Sequence, residues 1–167
     1  SDATCPTATA PVRVMDYTYG IFDTPARITE NLTAGEGGNR STEYFYHADG
    51  RLYSDTRAIG TATPQLYAYY FYTNNGQLNI IRDGKNNQTT YQYDGHDRLA
   101  KTLYPDKTTP GTSSATDYEQ LGYDANSNMT SLRGRNGQST TLAYDNLNRL
   151  VGRSYPTTAD NVTFSYD

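Results

Sequence analysis

Pairs of aromatic or apolar residues recur along the chain, always two positions apart: Tyr17/Tyr19, Tyr44/Tyr46, Tyr70/Tyr72, Tyr91/Tyr93, Leu121/Tyr123, Leu142/Tyr144 and Phe164/Tyr166. A spacing of two places both members on the same face of a β-strand. The second member is always tyrosine, and these anchors (Tyr19, Tyr46, Tyr72, Tyr93, Tyr123, Tyr144 and Tyr166) are separated by 27, 26, 21, 30, 21 and 22 residues. A period in this range predicts a repeat architecture.

The columns that follow each anchor predict a hairpin. Four residues after the anchors from 46 to 144 stand Gly50, Gly76, Asp97, Ser127 and Asn148. Gly, Asn and Asp tolerate the left-handed backbone that closes a tight hairpin, and Ser127 is the weakest fit. Arg51, Gln77, Arg98, Asn128 and Arg149 come next, then Leu52, Leu78, Leu99, Met129 and Leu150. That last column re-enters the core on the returning strand. An Asp directly after the tyrosine (Asp94, Asp124, Asp145, Asp167) suits an Asx turn. Asn75-Gly76 is the strongest two-residue hairpin signal in the chain.

These columns resemble the YD-repeat family, also called rearrangement-hotspot (Rhs) repeats. Tyr93-Asp94 through Arg98-Leu99 and Tyr144-Asp145 through Arg149-Leu150 match best. Tyr19 through Ile28 is a looser variant, and Gly20, His47 and Thr73 stand where the Asp belongs. The resemblance covers residues 12–167. It implies an all-β fold of tandem antiparallel hairpins, building a long, twisted, curved sheet that forms part of a shell-like spiral. Bacterial relatives enclose a C-terminal toxin in such a shell, and animal teneurins display a similar barrel for adhesion. Nothing in this chain matches the self-cleaving segment of the bacterial relatives.

The expected organisation is a flexible lead-in over residues 1–11, then a repeat sheet over 12–167 of about seven units, the last incomplete. Hairpins are expected from 12 to 33, 42 to 57, 65 to 82, 89 to 104, 117 to 133 and 138 to 155, with a further unit begun at 162–167. Residues 58–64 read as a connector, Gly35-Glu36-Gly37-Gly38-Asn39 as a turn, and 105–116 as the longest and most mobile linker.

Composition narrows the function classes. The chain has 17 Tyr, no Trp and only 35% hydrophobic residues, so tyrosine takes over much of the packing. Mean hydropathy is −0.82. That value alone would suit disorder, but the charged fraction is only 19% and the aromatics are periodic, which favours ordered β-structure. Net charge is −4, and there is no basic run, so nucleic acid is not an expected partner. No apolar run is long enough for a signal peptide or membrane-spanning helix. Cys5 is the only cysteine, which excludes an internal disulfide; it reads as an incidental thiol or as a bridge to another segment.

Candidate chemistry is sparse. His47 and His96 fall at turns, where solvated residues are the expected reading over a catalytic pair. Asp94 and Asp97 could serve as paired carboxylates, yet each is explained by its place in the repeat. Asp124-Ala125-Asn126-Ser127-Asn128 opens like a calcium loop, but Met129 replaces the required Gly and Arg135 the required Glu. Glycosylation sequons occur at Asn31, Asn39, Asn87, Asn128 and Asn161.

The expectation is a non-enzymatic structural segment with no cofactor or metal, in a secreted or cell-surface protein, bacterial in the first instance. Its expected partners are the rest of its repeat shell or copies of itself, an enclosed toxin, or a cell-surface protein or glycan. The alternative is an adhesion or fibre-forming subunit that assembles by strand pairing between chains.

Overall fold

The computed structural model describes residues 14–33, 38–59 and 65–167. The lead-in with Cys5, most of the 35–39 turn and the 60–64 part of the connector lie outside the described residues. Among the described residues thirteen strands follow one another in chain order in an open antiparallel sheet. No helix among them is long and apolar enough to cross a membrane. The chain divides into two compact units, Ser1–Tyr69 and Tyr70–Asp167.

The first unit holds β1 (Val14–Tyr19), β2 (Pro25–Asn31), β3 (Arg40–Tyr46), β4 (Leu52–Ile59) and the start of β5 (Gln65–Tyr72). A 3₁₀ turn at Ile21–Asp23 joins β1 to β2. Every residue of β1 is exposed, whereas Ser54, Asp55 and Ala68 on β4 and β5 are buried. Arg27 on β2 is ion-paired with Glu43 opposite it on β3.

The second unit continues with β6 (Leu78–Asp83), β7 (Gln88–Tyr93), β8 (Leu99–Pro105), β9 (Ser113–Tyr123), β10 (Met129–Arg133), β11 (Ser139–Tyr144), β12 (Leu150–Ser154) and β13 (Val162–Thr163). Leu142 is its buried apolar residue, and most of its strand residues are half-buried. Apolar burial is therefore spread thinly, and each hairpin relies on its neighbours.

The turns share one construction. In 47–51, 73–77, 94–98, 124–128 and 145–149 the first residue's N–H donates to the carbonyl of the fifth, and the fourth residue's N–H donates back to the carbonyl of the first. Gly50, Gly76, Asp97, Ser127 and Asn148 are those fourth residues, with φ of 82°, 85°, 61°, 68° and 59°. This is a three-residue loop: a type I turn followed by a left-handed residue that forms a bulge. Register shifts fall beside the anchors accordingly, and Tyr46 pairs with Leu52, Tyr93 with Leu99, Tyr123 with Met129 and Tyr144 with Leu150.

Two expectations are corrected. Asn75-Gly76 does not make a two-residue loop: the N–H of Thr73 pairs with the carbonyl of Gln77, and of the pair only Gly76 takes a positive φ. The five-residue frame of the repeat overrides the preference of the dipeptide. The 105–116 segment is not a long free linker either. Pro105 already pairs with Ser113, and Asp106 Oδ1 accepts the N–H groups of Thr108 and Thr109. The Gly111 N–H donates to the Asn86 carbonyl at 2.7 Å, tying this loop to the β6–β7 turn.

Candidate functional site

The most ordered chemistry in the molecule lies where one hairpin meets the next. The Tyr93 hydroxyl donates to the carbonyl of Leu78 (2.8 Å), Tyr123 to Leu99 (3.0 Å), Tyr144 to Met129 (3.0 Å) and Tyr166 to Leu150 (2.7 Å). In the first unit Tyr46 donates to the carbonyl of Pro25 at 2.9 Å. In the second unit each acceptor is the residue that begins the return strand of the preceding hairpin. The phenol thus finds its hydrogen-bond partner in the backbone of the neighbouring hairpin.

Arginine closes the same junction from above. Arg98, next to Leu99, lies 4.5 Å from the centroid of the Tyr123 ring, and Arg149, next to Leu150, lies 4.6 Å from that of Tyr166. Arg98 Nη1 also donates to the Asp124 carbonyl and to Ser127 Oγ in the next turn. Where the column holds an amide, the link is shorter. Gln77 Nε2 donates to the Asp97 carbonyl at 2.7 Å, and Asn128 Nδ2 to Asn148 Oδ1 at 2.8 Å. Asn75 Nδ2 to Asp97 Oδ1 and Asn126 Nδ2 to Asn148 Oδ1 complete a ladder from turn to turn.

The Asp after each anchor holds its own turn. Asp94 Oδ1 accepts from the N–H groups of His96 and Arg98, and its Oδ2 from Arg98 Nε at 2.8 Å. Asp145 does the same with Leu147 and Arg149, and Asp124 with Asn126 and Asn128. The side-chain hydrogen bond from Arg98 pulls the Asp94 carboxyl down to about 2. In the 47–51 turn, where His47 replaces the Asp, Asp49 takes over by binding Arg51, whose side-chain bond holds it at about 2. Asp83 builds the same cage in the β6–β7 turn with Lys85 and Asn87.

A second cluster of cations and aromatics flanks β9. Lys101 from β8 and Arg133 from β10 lie 3.7 and 3.8 Å from the Tyr118 ring centroid. Arg135 stacks on Tyr104 at 3.9 Å and binds both oxygens of Asp117. The Tyr104 hydroxyl donates to Glu119.

The polar residues considered for chemistry are engaged in structure. His47 packs edge-on against Tyr53 at 5.1 Å, and His96 is exposed at its turn. Asp94 is ion-paired with Arg98, so it does not stand as one of two free carboxylates beside Asp97. The Asp124 oxygens are used by Asn126 and Asn128, and among the described residues no group of three or more His, Cys, Asp or Glu converges as a metal site. Each sequon asparagine also holds local structure: Asn31 to Asp16, Asn39 to Leu32, Asn87 to Asp83, Asn128 to Asp124 and Asn161 to Tyr155.

Sequence reasoning did not find the acceptor of the tyrosine hydroxyl or the stacking of arginine on the next anchor. The available signal was the adjacency of arginine and leucine after the left-handed residue in three units (Arg51-Leu52, Arg98-Leu99 and Arg149-Leu150).

Residues 123–160 match the family model described as RHS Repeat. No curated protein matches. The fold is similar to that of solved structures of TcdB2-TccC3. For TcdB2-TccC3-Cdc42 the TM-score is 0.69 at 19% identity over 92% of this chain and 8% of the other. For TcdB2-TccC3 alone it is 0.69 at 18% over 92% and 9%, and for the form without the hypervariable C-terminal region 0.68 at 20% over 84% and 7%. The chain therefore spans less than a tenth of the proteins whose fold it shares.

Proposed function

We propose that this chain, an array of RHS (YD) repeats, is a non-catalytic structural segment that builds the wall of a shell in a secreted or cell-surface protein. The observation that carries this reading is the repeated junction: tyrosine hydroxyl to preceding carbonyl, reinforced by arginine or an amide. It engages hydroxyl, carboxylate and amide groups of the repeat columns within the sheet itself. It also uses the same columns in successive hairpins, as a load-sharing wall requires. The likeness to TcdB2-TccC3 supports a place within a much larger protein, and enclosure of a toxin or effector is the role we assign to that larger assembly. On this reading the anchors from Tyr19 to Tyr166, the turn residues Gly50, Gly76, Asp97 and Asn148, and the return-strand residues Leu52, Leu78, Leu99 and Leu150 are structural, and the array occupies residues 12–167.

One observation favours the alternative, an extracellular adhesive or fibre-forming subunit. Among the described residues β1 pairs only with β2, and Val14, Met15, Tyr17 and Tyr19 on it are exposed, Tyr19 by 62%. An edge of this kind accepts a further strand. Light scattering with electron microscopy on the same sample separates the two. Discrete particles are expected of a wall segment. Long regular polymers would replace the shell reading with the fibre.

A further inference from the structure

The arginine of the junction is replaced twice, by Gln77 and by Asn128, and beside Gln77 lies an open cleft. Where Arg98 and Arg149 stack on the next anchor tyrosine, the β5–β6 turn carries Gln77. Gln77 reaches the Asp97 carbonyl, and no cation lies over Tyr93 among the described residues. A cleft of about 550 Å³ is found there, lined by Asn74, Gln77, Asn79, Tyr91, Tyr93 and Asp97 among others. It is broadly open to solvent and mainly polar, a groove for a side chain and not an enclosed pocket.

The filled junctions show what fits. Over Tyr123 the guanidinium of Arg98 rests on the ring and donates to the Asp124 carbonyl and Ser127 Oγ. In the next turn back, Asp94 stands at the position of Asp124 and Asp97 at that of Ser127. A guanidinium seated over Tyr93 therefore meets the Asp94 carbonyl and, in place of a hydroxyl, the carboxylate of Asp97. Asp97 Oδ1 accepts from Asn75, while Oδ2 has no partner among the described residues. A charge-assisted bond to a carboxylate is stronger than one to serine. The cleft holds no free cation to attract an anion, and its amide lining disfavours an apolar guest. At the Tyr144 junction, where Asn128 replaces the arginine, the corresponding residue is the neutral Asn148, whose Oδ1 already accepts from Asn126 and Asn128.

We infer that the cleft between the 73–77 and 94–98 turns is a docking site for the guanidinium of an arginine side chain presented by a polypeptide partner. Planarity matters: the guanidinium stacks flat on the ring while its fork binds oxygen, whereas an ammonium is a compact point charge without that fork.

The test is an NMR titration of the whole chain with acetyl-Gly-Arg-Gly-amide and acetyl-Gly-Lys-Gly-amide, following the amides of Gly76, Asp97 and Arg98. The arginine peptide is expected to give saturable shifts, with the lysine peptide about tenfold weaker or more. Gln77→Arg should fill the slot from within and abolish binding. Asp97→Asn keeps a residue suited to positive φ, as Asn148 shows at 59°, and should weaken binding about tenfold. If Gln77→Arg does not fold, Asp97→Asn decides alone. Equal binding of both peptides, no saturable shift, or unchanged affinity in Asp97→Asn would overturn the assignment.

Discussion

The Tyr123 hydroxyl donates to the Leu99 carbonyl at 3.0 Å while Arg98, one residue before that leucine, lies 4.5 Å over the same ring. One side chain from the β9–β10 hairpin is thereby gripped at two points by the β7–β8 hairpin. The hydroxyl fixes the position of the ring along the strand, and the guanidinium covers its face. Because a strand slipped by one residue turns every side chain to the other face, a contact that demands one carbonyl and one ring also fixes register.

Removing either grip should destabilise the sheet without unfolding it. Tyr123→Phe loses one net hydrogen bond, about 0.5–1.5 kcal/mol. Arg98→Ala loses the stack, about 0.5–1 kcal/mol for a partly exposed pair, and the bonds to Asp124 and Ser127 besides. Urea denaturation of the two variants and the double variant checks both values. The double variant is expected to cost less than the sum, since both side chains act on one junction.

The left-handed turn residues make a cleaner test of conformation. Gly137 sits at φ 82°, and a Cβ there would meet nothing closer than Arg133 Nη2 at 3.5 Å, an ordinary contact. Gly137→Ala should therefore cost only the backbone term, about 1–2 kcal/mol. A denaturation midpoint unchanged by this substitution would contradict the turn geometry.

Gly122 presents the opposite case. It pairs with Ser131 across β9 and β10, and a Cβ would lie 2.3 Å from Ser131 Oγ but 3.6 Å from Ser131 Cβ. Gly122→Ala is expected to lower stability by about 1 kcal/mol, in the lower range for overpacking. The added change Ser131→Ala should recover most of the loss. Thermal melts of the single and double variants read this directly.

Acid should loosen the turns before it affects the tyrosines. Asp94 and Asp49 titrate at about 2, held down first by side-chain bonds from Arg98 and Arg51, and Asp124 and Asp145 are also lowered. A carboxylate with a depressed folded-state pKa stabilises fully above its unfolded value of 3.8 and loses that contribution as pH falls through the folded value. Stability is thus expected to be flat above about pH 5 and to decline between about pH 4 and 2. Asp49 is exposed and the other three are partly exposed, so salt should reduce the effect. Circular dichroism melts across that range, at two ionic strengths, check both statements.

Much of the fold was legible because strand and turn are each encoded locally. The i, i+2 aromatic pairs mark the strands, and residues such as Asp97 and Asn148 mark the left-handed corner. Partnership between hairpins was not legible, since nothing in a tyrosine codon names the carbonyl it will find. That depends on the stagger between hairpins, which here places Tyr123 against Leu99 and Tyr144 against Met129. Asn75-Gly76 misled because its local preference is real but weaker than the frame imposed by Thr73 and Gln77, whose backbones pair at 2.8 Å. The 106–112 loop misled for a related reason: Asp106 and Asn86 fasten it through bonds that composition cannot show.

The most direct measurement is native-state hydrogen exchange on Tyr123→Phe compared with the unaltered chain. If the anchor couples adjacent hairpins, protection falls on both sides of the junction, in β7–β8 as well as in β9–β10. Loss confined to β9–β10, with β7–β8 unchanged, would contradict the account: the tyrosine would then serve only its own hairpin.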